Sequence, residues 1–105
     1  MAQFDVFVNP STASRDAVPY VVDIQSNYLE TLRTRLVMPL SRVAADERGL
    51  PRRLVPSFTI EGELLNLYPQ EAAALQARLL KRPVASLAAQ AREIRDALDA
   101  VVSGL

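Results

Sequence analysis

Cysteine and histidine are both missing from this chain of 105 residues. Without cysteine there is no disulfide, no thiol nucleophile and no thiolate ligand for a metal. Without histidine the commonest general acid–base group and the commonest nitrogen ligand for a metal are excluded as well. The three glycines are too few for a glycine-rich phosphate loop. We therefore expect neither a cofactor nor a metal site.

Neither positive nor negative charge is in excess, because twelve basic and twelve acidic residues cancel. A nearly neutral chain lacks the basic surface of a dedicated nucleic-acid-binding protein. Half of the residues are hydrophobic, so the length predicts a single globular domain over residues 1–105. No apolar run approaches the ~18 residues that span a bilayer, and the N-terminus lacks a signal peptide. We therefore expect a cytoplasmic protein with no membrane partner.

Paired carboxylates would be the remaining route to catalysis, and only two such pairs are close in the sequence. Asp46 and Glu47 are adjacent, and Glu61 and Glu63 flank a glycine. Both pairs fall in predicted loops, where a solvated charge is the simpler interpretation. We therefore predict that the chain is not an enzyme.

The segment from Tyr20 to Leu40 has the clearest structural pattern. The β-branched residues of the apolar run Val18–Ile24 predict one strand, and Leu36–Leu40 predicts another that includes a proline near its end. The long connection between the two strands is polar except for a few bulky residues, chiefly Tyr28 and Leu29. Closing the core is the ordinary role of such side chains, whereas exposure would indicate contact with a partner.

The N-terminal segment Gln3–Val8 alternates in polarity, which predicts a half-buried strand. The face expected toward the core holds Phe4, Val6 and Val8. Phe7 places an apolar residue on the other face too.

A hairpin and a helix complete the predicted elements. Leu54–Ile60 and Leu64–Tyr68 form a predicted hairpin with its turn at Gly62. Near the C-terminus, apolar residues recur at helical spacings of three and four: Leu87, Ala91, Ile94, Leu98, Val101 and Leu105. Ser86 is the expected N-cap of that helix, and Gly104 is its expected stop.

The segment Gln70–Arg82 lies between two prolines and is rich in Ala, Leu, Gln and Arg. Its composition alone predicts a second helix.

Five motifs occur together along the chain: Phe4 in its alternating strand, Val22-Asp23-Ile24-Gln25-Ser26, Arg35-Leu36-Val37-Met38-Pro39-Leu40, Leu54-Val55-Pro56, and a helix that ends in Gly104-Leu105. Together they resemble the CcdB family, the toxins of plasmid and chromosomal toxin–antitoxin modules. The second and third motifs also keep the family's spacing. The resemblance covers essentially the whole chain, although the N-terminal loop and residues 64–82 match poorly.

This resemblance implies a mainly β fold, a small antiparallel SH3-like barrel of the CcdB/MazF type with one C-terminal α-helix. It also implies a two-fold homodimer. Part of Gln70–Arg82 should then be strand, with a short helical turn near Glu71–Ala74. We follow the resemblance there, because tertiary context often overrides local propensity.

The resemblance implies that the protein acts by binding its target and catalyses no reaction. Members of the family bind the A subunit of DNA gyrase and trap it while the DNA is cleaved. A cognate CcdA-like antitoxin with a disordered arm neutralises the toxin. The pair represses its own operon, so operator DNA is bound only through the antitoxin.

By resemblance, two segments form the gyrase contact. The connection after the second strand contributes Tyr28, Leu29 and Glu30, and the helix end contributes Asp99, Val102, Ser103, Gly104 and Leu105. Ser103 departs from the best-known member, which has a tryptophan at that position. An aromatic anchor at an interface contributes about 2 kcal/mol or more. We therefore expect weaker poisoning, a contact that depends on Tyr28 and Leu105 instead, or a related type II topoisomerase as the target.

The charged segment Ser41–Arg53 is most simply interpreted as a solvated loop. Its arginines are Arg42, Arg48, Arg52 and Arg53. A disordered arm that orders on binding gains from complementary charge. We therefore expect the antitoxin to cover these arginines and the N-terminal loop Pro10–Ala17.

Two other functions remain open. One is a MazF-type endoribonuclease toxin of the same fold, in which Arg33, Arg35 and Arg42 would line an RNA groove. The neutral chain and the absence of those nucleases' N-terminal motif argue against it. The other is a non-toxic chromosomal copy that only binds antitoxin.

Overall fold

A computed structural model describes residues 2–29 and 31–104, without the side chain of Arg53. In this part of the chain there are seven strands: β1 (Asp5–Val8), β2 (Tyr20–Asp23), β3 (Thr34–Ser41), β4 (Ser57–Ile60), β5 (Glu63–Leu67), β6 (Ala73–Gln76) and β7 (Ala85–Ser86). One α-helix, α1, follows at Ala91–Ser103. Short 3-10 turns lie at Asn27–Leu29, Asp46–Arg48, Arg52–Leu54, Pro69–Glu71, Ala77–Leu79 and Ala88–Gln90. No helix of the described residues is long and apolar enough to cross a membrane.

Strand β3 is the centre of the sheet. Every pairing is antiparallel, and the strand order is β4-β5-β3-β2-β1-β7, with β6 also paired to β3. Because β3 has eight residues, its second half pairs with β5 while its first half pairs with β6 on the same edge. The sheet curls into a nearly closed barrel. The mainly β fold with one C-terminal helix is thus confirmed.

The buried side chains form three clusters. The largest packs between the sheet and α1, and consists of Phe4, Val6, Val22, Ile24, Met38, Leu40, Phe58, Ile60, Leu65, Leu67, Leu87 and Ile94. A second cluster of Phe7, Val21, Val37 and Leu80 lies on the other face of the central strands. A third cluster, Ala45, Val55 and Tyr68, lies beneath the charged loop. Alternate side chains of each central strand therefore pack into two separate cores.

Strand β1 is buried on both faces, in contrast to the predicted half-buried strand. Phe7 is fully buried because Leu80, from the segment after β6, covers the second face. Val8, which we expected in the core, is 42% exposed. It is the last residue of β1 and pairs with Tyr20, the first residue of β2, so it lies at the rim of the barrel.

The prediction of a helix over Gln70–Arg82, which was based on composition, is wrong. The strand implied by the family resemblance is confirmed. β6 pairs with the first half of β3, whose backbone groups would otherwise lack partners on that edge. Local propensity contains no information about such a distant partner. The helical turn lies at Pro69–Glu71 and not at Glu71–Ala74, because Ala73 and Ala74 are already paired with β3.

The predicted hairpin between β4 and β5 is confirmed, although β4 begins at Ser57 and not at Leu54. Ile60 pairs with Glu63, so the connection has two residues. Both adopt a positive φ, 51° at Glu61 and 80° at Gly62. A tight hairpin of this kind requires that backbone because its twist matches the flanking strands.

Helix α1 begins later than the apolar spacing predicts. Ser86 lies in β7, and its Oγ accepts the N–H of Ala88 at 3.2 Å. Ser86 therefore accepts the first N–H of the 3-10 turn before α1, and it is not the N-cap of α1.

The apolar stripe of α1 is covered mainly in its first half. Ile94 and Ala97 are buried, whereas Val101 is 42% exposed. Gly104 ends the helix as predicted, with a φ of 76° and its N–H donated to the Ala100 oxygen at 2.9 Å. Leu105, the last member of the predicted stripe, lies outside the described residues.

A buried ion pair joins β2 to β3. Asp23 and Arg35 have relative side-chain exposures of 0% and 1%, and the Arg35 Nε donates to Asp23 Oδ2 at 2.8 Å. The Arg35 Nη2 lies 2.8 Å from the same oxygen. Nη1 is buried without a hydrogen-bond partner among the described residues. Neither charge can be removed alone without leaving the other in a dry site.

We expect Arg35→Met to lower the free energy of unfolding by about 3–5 kcal/mol, because it leaves the Asp23 carboxylate buried without its cation. Chemical denaturation measures this loss. The double variant Asp23→Leu/Arg35→Met should recover most of it. Arg92→Met, on an exposed helix position, is the matched control. A loss below about 1 kcal/mol for the single variant would contradict the assignment.

Candidate functional site

The connection after β2 forms an ordered 3-10 turn, Asn27–Leu29. Tyr28 is 98% exposed on this turn, and Leu29 is 48% exposed. The exposure of Tyr28 excludes core closure as its role. Large apolar side chains displayed together on an ordered segment are typical of a contact with another molecule. Glu30, the third predicted residue of this segment, lies outside the described residues.

The side chain of Gln25 ties this turn to the central strands. Its Nε2 donates to the Leu29 oxygen at 2.9 Å, and its Oε1 accepts the N–H of Leu36 at 3.0 Å. The backbone N–H of Gln25 donates to Asp23 Oδ1 at 3.0 Å, and its carbonyl accepts Arg35 Nη2 at 3.3 Å. The turn that displays Tyr28 is therefore connected to the buried ion pair.

Gln3 holds the turn from the N-terminal side. Its backbone N–H donates to Asn27 Oδ1 at 2.8 Å, and its Nε2 donates to the Ile24 oxygen at 3.1 Å. Sequence reasoning missed the roles of Gln3, Gln25 and the Asp23–Arg35 pair. The available signal was a charged residue inside the first apolar run, Asp23, and another directly before the second, Arg35.

Phe4 adopts a φ of 72°, which is strained for a bulky residue. Its N–H donates to the Asp23 oxygen at 2.5 Å, and its carbonyl accepts the N–H of Leu87 at 2.8 Å. The buried ring has the Arg95 guanidinium 5.3 Å from its centroid. Phe4 thus connects β2 with the segment that leads into α1, and burial of its ring helps to offset the strain.

The predicted residues at the end of α1 are exposed wherever the structure describes them. Val102 is 77% exposed, and Asp99, Ser103 and Gly104 are exposed as well. The Ser103 hydroxyl donates to the Asp99 oxygen at 2.6 Å, so it is already bonded within the helix. A Cβ added at Gly104 would meet nothing within 4 Å. Leu105 lies outside the described residues.

No direct contact is described between the two predicted segments. The principal partners of α1 are the turns at Pro69–Glu71, Ala88–Gln90 and Arg52–Leu54. None of these includes the Tyr28 turn. The structure thus displays both segments at the surface, and the Tyr28 turn is not among the principal partners of α1 in the described part of the chain.

Arg42, expected at the antitoxin surface, is ion-paired within the chain. Its Nε and Nη2 donate to the two carboxylate oxygens of Glu63 at 2.5 and 3.1 Å. The Nη1 donates to the Asp16 oxygen at 2.6 Å. The hydrogen bond from Arg42 lowers the pKa of Glu63.

Arg48 is also ion-paired, with Glu71, and its guanidinium lies 4.5 Å from the centroid of the Tyr68 ring. The Tyr68 hydroxyl donates to the Val43 oxygen, and burial raises the pKa of this phenol. Arg52 is exposed and forms no ion pair with a described residue. The side chain of Arg53 lies outside the described residues.

Two cavities border the N-terminal loop. One of about 280 Å³ has Val21, Val37 and Leu75 among its apolar lining residues. The other, of about 240 Å³, is lined by three basic residues together with three apolar ones: Arg15, Lys81, Arg82, Val8, Pro10 and Leu79. The Asn9 Nδ2 fixes the loop by donating to the Val18 oxygen at 2.8 Å. An apolar surface and a basic surface therefore lie on either side of the loop.

The three arginines of the nuclease alternative do not line one groove. Arg35 is buried against Asp23, and Arg42 is bound to Glu63. Arg33 alone is exposed and without a described ion pair. Within residues 2–29 and 31–104, no group of three or more Asp, Glu, His or Cys could hold a metal ion.

Comparison with models of protein families matches residues 3–104 to the family described as CcdB protein. A search of curated proteins found no match. The matched range begins just before the strained Phe4 and includes the Tyr28 turn, the charged loop and all of α1.

Proposed function

Since the chain belongs to the CcdB protein family, the toxins of toxin–antitoxin modules, we propose that it binds the A subunit of DNA gyrase and traps the cleaved gyrase–DNA complex. The observation that carries the proposal is Tyr28, which is 98% exposed on a turn anchored to the buried core. A protein can hold another in one state without chemistry if it binds that state more tightly than the alternatives. Gyrase and antitoxin as partners place this activity in the cytoplasm.

In this proposal, recognition depends on Tyr28 and Leu29 more than on position 103. Tyrosine is a common anchor at interfaces because it buries a large rigid ring and retains a polar hydroxyl. Ser103 offers little area, and its hydroxyl is bonded to Asp99. The remaining proposed contacts are Glu30, Asp99, Val102, Gly104 and Leu105. The exposed Val102 would supply apolar area next to Ser103.

A gyrase cleavage assay with supercoiled DNA tests the proposal directly. The purified chain should increase the linear DNA that is recovered after denaturation of the gyrase complex. Incubation with RNA in parallel tests the endoribonuclease alternative, which requires strand cleavage without gyrase. Expression in a gyrase-sensitive host tests the non-toxic alternative. Antitoxin binding without trapped cleavage or killing would contradict the proposed function.

Tyr28→Ala and Gly104→Arg test the two segments separately. We expect Tyr28→Ala to weaken gyrase binding by about 2 kcal/mol, roughly 30-fold, because it removes an aromatic anchor. Gly104→Arg should abolish trapping because it places an unpaired charge in the contact. Gyrase binding and cell killing are the measurements.

Both variants should remain folded. Tyr28 makes no buried contact to lose, and arginine at Gly104 costs mainly the positive φ, on the order of 1 kcal/mol. Leu64→Ala is a control for Tyr28→Ala, because Leu64 is 66% exposed on β5. If Tyr28→Ala kills as well as the native chain, recognition does not use this turn.

We further propose that the chain is a two-fold homodimer. Apolar side chains that are not among the proposed gyrase contacts are exposed around the first half of β3 and on α1: Leu32, Leu36 and Val101. Leu36 lies beside the exposed Ala74 across the β3–β6 pairing. Burying such a surface against a second copy would remove it from water. It would also bring a second pair of contact segments to a two-fold symmetric target.

Leu36→Glu should weaken the dimer about 100-fold, because a buried unpaired carboxylate costs about 3 kcal/mol or more. Sedimentation equilibrium at micromolar concentration measures the dissociation. Leu64→Glu, which puts the same charge on an exposed leucine elsewhere, should leave the dimer intact. A native chain that sediments only as a monomer would refute the dimer.

We propose that the antitoxin covers Arg42, Arg48, Arg52 and Arg53 together with the N-terminal loop. Two of these arginines already have carboxylate partners, so an acidic arm would have to displace Glu63 and Glu71 to reach them. Arg52 and the basic cavity beside Arg15 offer charge without that cost. The neighbouring apolar cavity can take side chains of the arm.

Arg52→Glu should lower antitoxin affinity roughly tenfold at low salt and reduce its salt dependence, because it reverses an available charge. Arg48→Glu, which breaks an existing pair, should also destabilise the loop around Tyr68. Arg92→Glu on α1 is the control for net charge. Titration calorimetry at two salt concentrations measures the effect. If Arg52→Glu leaves the antitoxin affinity and its salt dependence unchanged, the charged loop is a solvated surface and not an antitoxin contact.

A further inference from the structure

A third cavity, of about 530 Å³, opens at the end of the β3–β6 pair. Its lining residues are Arg33, Thr34, Gln76, Ala77 and Arg78. The backbone fixes their arrangement, because Thr34 is directly opposite Gln76 in the pairing. The N–H of Ala77 also donates to the Arg33 oxygen at 2.8 Å. Two arginines from distant parts of the chain are thereby held at one cavity.

The charge at this cavity is positive. Arg33 and Arg78 are exposed, and the ion pairs of the described residues involve other arginines. No carboxylate belongs to the described lining. Because the chain as a whole is neutral, this charge is a local feature.

We propose that this cavity binds a phosphate monoester. The planar guanidinium group offers donors in a fork that matches phosphate oxygens. A monoester carries a charge of about −1.5 to −2 at neutral pH, which two arginines balance. The Thr34 hydroxyl and the Gln76 amide supply neutral donors for a further oxygen. A carboxylate or a phosphodiester has a single charge and would leave one arginine unmatched.

The volume indicates what carries the phosphate. Small-molecule sites usually occupy roughly 300–1,000 Å³, and this cavity falls in that range, well above what a bare ion fills. The cavity therefore has room for an organic phosphate of about the size of a nucleoside or sugar monophosphate, which is the ligand class that we propose. None of the lining residues belongs to the proposed gyrase or antitoxin contacts. The site does not depend on gyrase or antitoxin binding, and its residues Thr34 and Gln76 adjoin the proposed dimer surface at Leu36 and Ala74.

Nuclear magnetic resonance titration of the ¹⁵N-labelled full chain with adenosine 5′-monophosphate tests the site. We expect the amides of residues 33–34 and 76–78 to shift, with a dissociation constant below about 1 mM. Arg33→Gln and Arg78→Gln should each raise that constant about tenfold or more, because each removes a charged donor. Both positions are exposed, so both variants should fold. Arg92→Gln, the matched control, should bind like the native chain.

Further probes identify the group that is recognised. Adenosine should cause no shift, and inorganic phosphate should shift the same amides more weakly. Arg33→Lys should bind less well than the native chain although it keeps the charge, because lysine lacks the fork. Adenylyl adenosine, whose only phosphate is a diester, should bind about tenfold more weakly than the monoester.

Some outcomes would overturn the proposal. It is refuted if both glutamine variants bind adenosine 5′-monophosphate like the native chain, or if adenosine binds equally well. Equal affinity for the diester would replace it with a site for a nucleic-acid backbone. A dissociation constant above about 1 mM with no preference among the probes would reduce the cavity to a weakly basic surface.

Discussion

The ion pair between Asp23 and Arg35 is the interaction on which the rest of this structure depends. Both side chains are almost fully removed from water, where an uncompensated charge costs several kcal/mol. Each charge is therefore confined to the other, and β2 is held in register with β3. Gln25 bonds to both partners and to Leu29, so this constraint extends to the turn that displays Tyr28. A polar element inside the barrel thus determines the shape of part of its surface.

Strand β3 extends this constraint through the fold. It pairs with β2 along one edge and with β5 and β6 along the other, and its alternate side chains enter two different cores. The same strand begins at the cavity lined by Arg33 and Arg78 and ends beside the charged loop. An eight-residue strand that is paired on both edges cannot shift by one residue without exchanging its buried and exposed faces. The surfaces at its two ends are therefore fixed relative to each other.

Several polar side chains of this protein are engaged in contacts within the fold. With no cysteine or histidine, its reactive groups are carboxylates and hydroxyls, and several of these are used structurally. Asp23 is buried with Arg35, Glu63 and Glu71 are bound to arginines, and Ser103 is bonded to its own helix. The described surface also displays apolar side chains on the Tyr28 turn and at the end of α1, together with arginines that have no described ion pair. Such surfaces recognise a partner through complementarity, which agrees with membership of a toxin family.

Local patterns in the sequence were enough to determine several features of this protein. The Gly62 hairpin and the helix stop at Gly104 can be read from neighbouring residues, and the spaced motifs identify the family. Only the tertiary structure decided which residues of the segment 70–82 pair with β3, that Phe7 is buried, that Arg35 is neutralised by Asp23, and that Arg33 and Arg78 line one cavity. Each of these depends on a partner far away along the chain. Propensity and periodicity describe only what a segment prefers alone, so contacts that form when distant segments pack together lie beyond their reach.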